Sequence, residues 1–278
     1  MKRLCRLLTA FLALALFLVT ALPTFATDKV KTIQDGKLLI GMEAGYPPYN
    51  WTQNDDSNDG VAIQGGSDYA NGYDVAVAQI VADELDLELE VVKIEWDGLI
   101  PALQADKIDL IAAGMSPTPE RAEAIDFTNP YYTVQFAMMV MKDGEFSEAS
   151  SINDFEGATV TGQLSTLHYD LLDQIKGGKI DQAMPTFPAM RVALESGKID
   201  AYVTEIPEAL SATAANDKFK YVELDPSFDL AEEETQISMG VKKGNPLLEE
   251  INKILDTIDE DQRAEIMEKI IEIQPEAE

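Results

Sequence analysis

Cysteine, histidine and positive charge are scarce in this sequence. Its 278 residues include one cysteine, Cys5, and one histidine, His168, and 21 lysine and arginine residues stand against 50 aspartate and glutamate residues. A single cysteine excludes an intramolecular disulfide, and a histidine without a second ligand of its kind nearby argues against a transition-metal site. The net charge of −29 argues against nucleic acids and anionic membranes as partners. Nothing in the sequence requires a cofactor.

Long apolar runs are absent after the N-terminus. There, three basic residues precede an apolar run over 7–21, and a short segment with small residues ends at Ala26. This pattern is typical of a secretory signal peptide over 1–26, and the run is too short for a membrane-spanning helix of about 20 residues. Cys5 precedes the run, where it cannot serve as a lipid anchor. We therefore expect a free periplasmic protein with a net charge of −32, since the signal peptide carries three basic and no acidic residues.

The remaining chain alternates β-rich runs with helical patterns. Strands are predicted over 37–43, 87–94, 108–115, 136–142, 158–163, 199–205 and 237–243, and helices over 73–85, 97–106, 188–196, 207–215, 246–257 and 260–273, with a further helix from about 166. A β-α-β-α-β order indicates an α/β unit with a largely parallel sheet. Because the order is repeated after about residue 137, the sequence predicts two Rossmann-like α/β lobes.

Two of the predicted strands, 136–142 and 237–243, are placed to link these lobes. The first lobe would then comprise 27–137 and 238–278, and the second lobe 138–237. Two connecting strands form a hinge, and a hinge allows two lobes to close on a cleft.

Polar and aromatic residues follow the predicted strands directly. In open α/β sheets, ligands bind at the carboxyl ends of the strands. The candidate site residues chosen by this rule are Glu43, Tyr46, Trp96, Gly114, Ser116, Arg121, Gln163, Thr166 and Glu205. Each also has a purely structural interpretation: the aromatic rings could belong to the core, Glu205 could cap the next helix, and Arg121 could pair with Asp126.

Arg121 is the least expected of these residues. Thr118 can cap a helix and Pro119 suits the first helical position, so Arg121 falls in the first turn, where the helix dipole disfavours a cation by about 0.3–1 kcal/mol. A helix N-terminus with a guanidinium suits a carboxylate, and a carboxylate on the opposite lobe suits an ammonium group. An α-amino acid carries both groups on adjacent carbons, so these residues predict an amino acid ligand.

Four segments carry a resemblance to a known family. "GMEAGYPPYNW", "GYDVAVA", "WDGLIPALQADKIDLIAAGMSPTPERAEAIDFTNPYY" and "ALESGKIDAYVTEIP" resemble the amino-acid-binding proteins of bacterial ABC importers, the family 3 solute-binding group, over about 37–270. The resemblance implies a periplasmic binding protein-like II fold, in which two α/β lobes joined by two strands close on a free amino acid. It also implies a monomeric binding protein that serves the transmembrane permease subunits of an importer.

The resemblance implies a role for the residues that would hold the ligand's α-carbon groups. Arg121 would clamp the α-carboxylate, assisted by Ser116, by the backbone of Ala113–Gly114 and by Thr166 from the opposite lobe. Glu205 would bind the α-ammonium group, where the family usually has an aspartate. The longer side chain is a departure that could shift the ligand. Ser165, where many relatives have glycine, is a second departure.

The remaining candidates would surround the ligand side chain. By resemblance, Glu43 would meet its end, Tyr46 and Trp96 would sandwich it, and Gln163 would line the wall of the second lobe. A carboxylate between aromatic faces favours a cation through charge pairing and cation–π contact. We therefore expect arginine, lysine or histidine as ligand before glutamine.

Two alternatives stay open at this point. A few relatives of this fold are cyclohexadienyl dehydratases, and Glu43 or Glu205 could serve as the general acid that such an enzyme needs. Separately, Asp55, Ser57 and Asp59 have the spacing of the first half of a calcium loop. Because Gly66 replaces the closing glutamate of such a loop, a solvated turn between strands is favoured there.

Overall fold

The computed structural model describes Ile33 and residues 36–274, so the expected signal peptide over 1–26 lies outside the described residues. The strands are β1 (Lys37–Met42), β2 (Gly45–Tyr46), β3 (Asn50–Gln53), β4 (Val61–Ala62), β5 (Tyr69–Asn71), β6 (Glu88–Lys93), β7 (Leu110–Ile111), β8 (Asp126–Phe127), β9 (Tyr132–Thr133), β10 (Phe136–Met141), β11 (Thr159–Thr161), β12 (Lys179–Ile180), β13 (Ala201–Glu205), β14 (Phe219–Glu223), β15 (Gln236–Ile237) and β16 (Gly240–Val241). The α-helices are α1 (Tyr73–Glu84), α2 (Leu99–Gln104), α3 (Pro119–Ala124), α4 (Leu167–Asp170), α5 (Phe187–Glu195), α6 (Ile206–Ala215), α7 (Leu248–Leu255) and α8 (Glu260–Ile273). Short 3-10 turns cover Ser57–Asp59, Trp96–Gly98, Ile152–Phe155, Leu171–Gln174 and Glu232–Thr235.

Two five-stranded sheets of similar construction organise the chain. The first has the strand order β6-β1-β7-β16-β8, and the second has the order β12-β11-β13-β10-β14. In each sheet four strands run in the same direction and one runs antiparallel to them, which is β16 in the first sheet and β10 in the second. The predicted α/β class is therefore confirmed, and the parallel strands of each sheet direct their carboxyl ends toward the candidate residues.

Buried apolar strands and helix faces form the core of both sheets. In β10, the residues from Phe136 to Val140 are buried without alternation, as expected for a central strand covered on both faces. Helix α1 packs against β6, α7 and α8, whereas α5 and α6 pack against β10 and β13. These helices pack on the strands and on one another, and the candidate site residues lie near the strand ends.

The connection between the sheets differs from the prediction. The strand expected over 136–142 does not link two units, since β10 lies wholly inside the second sheet. The run expected over 237–243 is divided into β15 and β16, and β16 belongs to the first sheet. The chain crosses between the sheets through β9 and β15, which pair with each other as a separate antiparallel ribbon.

Several predicted strands are longer than the observed ones, and one sheet was not predicted. The strand expected over 108–115 is reduced to β7, and Gly114, three residues beyond its end, has a left-handed φ of +62° that an extended strand does not allow. The antiparallel sheet β2-β3-β5-β4 was not predicted. Its strands of two to four residues are too short to show a period in the sequence. The segment over 55–60 is a turn between β3 and β4, as favoured above.

Candidate functional site

Side chains from both five-stranded sheets line one small cavity. Its lining residues are Tyr46, Trp96, Gly114, Ser116, Arg121, Phe136, Gln163, Thr166, Leu167, His168 and Glu205. Of the predicted site residues, Glu43 is joined to this lining through Gln163. Ala113 is buried beside Gly114 and is not part of the lining. The fold thus gathers most of the predicted residues at one place, while their role in binding stays a prediction.

Glu43 follows β1 directly and finds its partner on the other sheet. The side-chain amide of Gln163 donates to both carboxylate oxygens, at 3.0 and 3.1 Å, and also to the carbonyl oxygen of Pro185. Burial, together with the nearby carboxylates of Glu95 and Asp97, raises the pKa of Glu43 to about 7, despite the lowering effect of the Gln163 hydrogen bond. This end of the cavity is therefore rich in carboxylates and favours positive charge.

The ring of Tyr46 packs against two other aromatic rings. It is stacked against Phe187, with centroids 4.3 Å apart, and against Tyr49, with centroids 4.9 Å apart. The expected sandwich of a ligand side chain between Tyr46 and Trp96 stays a prediction.

The hydroxyl group of Tyr46 donates to Oε2 of Glu205 at 2.9 Å. Glu205 is 1% exposed and ends β13. It occupies the N-cap position of α6, yet its side chain accepts no capping hydrogen bond, so the capping interpretation of this residue is wrong. Burial and the neighbouring Glu205 carboxylate hold the pKa of Tyr46 well above its usual value, which keeps the phenol protonated as a donor.

Arg121 lies in the first turn of α3, as the sequence predicts. Thr118 caps the helix by accepting the Arg121 backbone N–H, and the guanidinium donates to the carbonyl oxygen of Ser116 at 2.9 Å. The interpretation as a partner of Asp126 is wrong, because Asp126 pairs with Lys243. Among the described residues, no carboxylate lies within ion-pair distance of Arg121. Burial lowers its pKa to about 10, so the group stays cationic at neutral pH.

Trp96 connects Arg121 to the opposite sheet. The guanidinium carbon lies 5.0 Å from the centroid of the Trp96 ring, within cation–π range. The indole N–H donates to the carbonyl oxygen of Ser165 at 2.9 Å. Ser165 itself has a left-handed φ of +58°, which explains why glycine would suit this position.

Comparison with known proteins identifies the family. The family model of the bacterial extracellular solute-binding proteins, family 3, matches residues 38–272. The chain belongs to this family. Its relatives are amino-acid-binding, substrate-binding proteins of ABC transporters, and the family is extracellular.

Three similar proteins show what such relatives bind. A probable histidine-binding protein of Campylobacter jejuni is 32% identical over 215 residues, which are 76% of this chain and 78% of that protein. The arginine-binding extracellular protein ArtP of Bacillus subtilis is 27% identical over 267 residues, 91% of this chain and 95% of that protein. A solved amino acid ABC transporter substrate-binding protein of Streptococcus pneumoniae, bound to L-arginine, is 26% identical with a TM-score of 0.76, covering 87% of this chain and 96% of that structure.

In this solute-binding protein a buried carboxylate joins three elements. Asp74, at the start of α1, is fully buried and accepts hydrogen bonds from Tyr131 and from Asn50 at 2.8 Å. Burial raises the pKa of Asp74 to about 7 despite these donors. The carboxylate thus ties helix α1 to β3 and to the segment that precedes β9.

Sequence reasoning missed His168, Phe136 and Phe187, which belong to or border the cavity. His168 was noticed only as a lone histidine, and its neighbours looked like ordinary core residues. The sequence did contain a hint, because His168 follows the predicted site residue Thr166 by two residues, in the segment after β11. Pairing it with Glu205, however, requires the tertiary structure.

Within the described part of the chain, no group of three histidine, cysteine, aspartate or glutamate side chains could hold a metal ion. No helix in that part is long and apolar enough to cross a membrane.

Proposed function

We propose that this protein captures a free L-amino acid in the cavity between its two sheets, with arginine, lysine or histidine preferred over glutamine. It would then deliver the amino acid to the permease subunits of an ABC importer. One observation carries the proposal: an arginine without a carboxylate partner among the described residues and a buried carboxylate line the same cavity. These residues are Arg121 and Glu205.

The two ends of an α-amino acid match these two groups. A ligand carboxylate supplies the partner that Arg121 lacks, and charge-assisted bonds from guanidinium to carboxylate are among the strongest in proteins. A ligand ammonium group would offset the burial of the Glu205 carboxylate, which is unfavourable without a cation nearby. The half-buried backbone around Gly114 and the hydroxyl of Ser116 lie on the Arg121 side of the cavity and support binding there.

Charge at the Glu43 end supports a basic ligand side chain. Glu43 lies close enough to Glu95 and Asp97 for these carboxylates to raise its pKa, so a cation there would relieve repulsion among three acidic groups. The preference rests on this charge and on the expected aromatic contacts of the ligand side chain. Relatives described as arginine-binding and histidine-binding proteins are consistent with this choice.

Capture requires that the two sheets move apart and together. We assign 27–137 and 238–278 to one lobe and 138–237 to the other, with the β9–β15 ribbon as the hinge between them. Three side chains donate hydrogen bonds across the cavity, from one proposed lobe to the other: Tyr46 to Glu205, Trp96 to Ser165 and Gln163 to Glu43. Such a protein would act as a monomer in the periplasm, free of cofactors, after removal of its signal peptide.

Isothermal titration of the purified protein against the twenty amino acids tests this function. We expect arginine, lysine or histidine to bind most tightly and glutamine more weakly. Binding of acidic or small apolar amino acids alone would contradict the assignment of Glu43, and no binding at all would contradict the function. Incubation with prephenate or arogenate tests the dehydratase alternative, and turnover of either compound would replace the binding function by an enzymatic one.

A further inference from the structure

His168 is a buried histidine at the proposed ligand cavity. It lies in α4, lines the cavity and is 7% exposed. Its Nε2 atom lies 3.4 Å from Oε1 of Glu205, within ion-pair distance. Among the described residues, neither ring nitrogen has a hydrogen-bond partner. Buried polar atoms in native proteins normally have a partner, so the imidazole calls for an explanation.

The fold holds the imidazole in one orientation. The ring of Phe136 lies 5.3 Å from it and the ring of Phe187 lies 5.2 Å from it, the latter edge to face. Gly162 allows α4 to approach β11, because a Cβ atom on this residue would lie 2.6 Å from the carbonyl oxygen of His168. The ring is thus held against Glu205 by packing, although no hydrogen bond fixes it.

The charged groups around His168 leave Glu205 as its electrostatic partner. Tyr46 of β2 donates to Oε2 of Glu205 and leaves Oε1 for the His168 side. Glu208 of α6 is engaged by Arg191 of α5 at 2.7 Å. Arg121 of α3 lines the same cavity.

The other titratable groups near this histidine lie on its own helix and on the next turn. Asp170 of α4 is exposed, and Asp173 belongs to the 3-10 turn that packs on α4. Burial raises the pKa of Asp170, whereas the Arg121 cation lowers it. Among the described residues, Glu205 is the carboxylate within ion-pair distance of the imidazole, so the pair of His168 and Glu205 is the relevant one.

We propose that His168 is a ligand-binding residue, and that its unprotonated imidazole and Oε1 of Glu205 together accept the ammonium group of the amino acid. The inference rests on the proposed function and deepens it. An ammonium group has three donor hydrogens, and a carboxylate oxygen and an imidazole nitrogen close together provide two acceptors for it. A ligand bound in this way supplies the partner that the imidazole lacks.

Protonation of His168 competes with this binding. An imidazolium has no acceptor left for the ligand, pairs with Glu205 itself and repels the ammonium group. Histidine is the side chain that ordinarily gains its charge between pH 5 and 8. Protonation of His168 therefore lowers ligand affinity, and the ligand in turn disfavours protonation of His168.

The single histidine permits a direct test by NMR. In protein without added histidines, the imidazole signals belong to His168 alone, and they can be followed by pH titration with and without a saturating amino acid. We expect the signals to titrate at a pH lower by about one unit when the ligand is bound, which corresponds to a tenfold coupling. Identical titrations with and without bound ligand would overturn the inference.

Two substitutions separate contact from protonation. His168→Gln keeps a neutral acceptor and removes the titratable group. We expect its ligand affinity at pH 7.5 to be within about threefold of wild type. On lowering the pH to 5.5, its loss of affinity should be about tenfold smaller than that of wild type. His168→Leu removes the acceptor, and we expect about tenfold weaker binding at pH 7.5. Tyr169→Phe is the control, since its hydroxyl donates to Asp181 outside the cavity.

The outcomes distinguish this inference from the function on which it rests. If wild-type protein binds no amino acid, both are overturned. If wild type binds an amino acid and His168→Leu binds it equally well at pH 7.5, His168 makes no contact and only this inference is overturned. The same holds if His168→Gln keeps the wild-type pH profile. Thermal unfolding of each variant shows whether a weakened variant is folded.

Discussion

The indole N–H of Trp96 donates to the carbonyl oxygen of Ser165 at 2.9 Å, although the two residues are 69 positions apart in the sequence. Trp96 follows β6 of the first sheet, and Ser165 follows β11 of the second. The bond therefore spans the cavity at the side where Arg121 lies over the Trp96 ring. Through Trp96, the proposed carboxylate site at Arg121 is therefore linked to a contact that holds the two sheets together.

Replacing Trp96 by phenylalanine tests this connection. Trp96→Phe keeps an aromatic ring beneath Arg121 and removes the donor to Ser165, so we expect the affinity for the amino acid to fall about two- to tenfold, as for one neutral hydrogen bond. Isothermal titration measures the change. Trp51→Phe is the matched control, because its indole N–H donates to Gln53 and not across the cavity. Equal affinities of Trp96→Phe and wild type would show that the bond does not contribute to closure.

Replacing Arg121 tests the carboxylate site. Arg121→Ala leaves the ligand carboxylate unpaired in a buried site, and we expect a loss of about 2–4 kcal/mol, or roughly thirtyfold or more in affinity. Arg121→Lys keeps the charge without the bidentate fork and should lose less. Lys107→Ala removes one positive charge at an exposed position and serves as the control. Near-wild-type affinity of Arg121→Ala would remove Arg121 from the site.

Proton release on binding tests the role of Glu43. With a pKa of about 7, Glu43 is partly protonated at neutral pH, and a bound cationic side chain would favour its ionised form. We expect arginine binding near pH 7 to release protons and to weaken as the pH falls below 7. Titrations in buffers of different ionisation enthalpy measure this release.

Glu43→Gln should reduce both the proton release and the preference for arginine over glutamine. Glu249→Gln, an exposed change of the same kind, should reduce neither. The release assigned to Glu43 is specific to cationic ligands, so glutamine should release fewer protons than arginine. A Glu43→Gln protein that still prefers arginine would contradict this role.

The stability of the protein should depend on pH through Asp74. Its pKa is about 3.8 in the unfolded chain and about 7 in the fold, so the folded state binds more protons between these values. Raising the pH through this window removes the extra proton, and the free energy of unfolding therefore decreases until about pH 7.

Urea denaturation at pH 5 and pH 7.5 measures the effect. Between these pH values, the free energy of unfolding should decrease less in Asp74→Asn than in wild type. We expect the difference to be about 1 kcal/mol or more. The exposed change Asp143→Asn should follow the wild-type slope and so controls for the general acidity of the chain. An unchanged slope in Asp74→Asn would show that this carboxyl group is ionised throughout.

Local sequence features were sufficient for the class of the fold and for much of the site. Helix α8 has the bounds Glu260–Ile273 that its pattern predicts, because Asp259 and Gln262 form a capping box at its start. Arg121 was recognised because Thr118 and Pro119 mark the beginning of a helix within a few residues. The strand-end rule then selected residues that line one cavity, since the carboxyl ends of parallel strands meet at one edge.

What the sequence could not determine depends on which distant residues meet. Nothing local indicates that Tyr46 would be stacked against Phe187, or that its hydroxyl group would donate to Glu205. The linking strands were misplaced for the same reason, because pairing partners such as Tyr132 and Ile237 are far apart along the chain.

The sequence by itself thus determined the α/β class, the family and the residue types of an amino acid site, because short-range patterns along the chain are sufficient to recognise them. Only the tertiary structure decided the pairings of Glu43 with Gln163, Trp96 with Ser165 and His168 with Glu205. Each pair joins residues from different parts of the chain, and their distance is set by how the two sheets pack together. That packing also determines burial, and burial in turn raises the pKa values of Glu43 and Asp74.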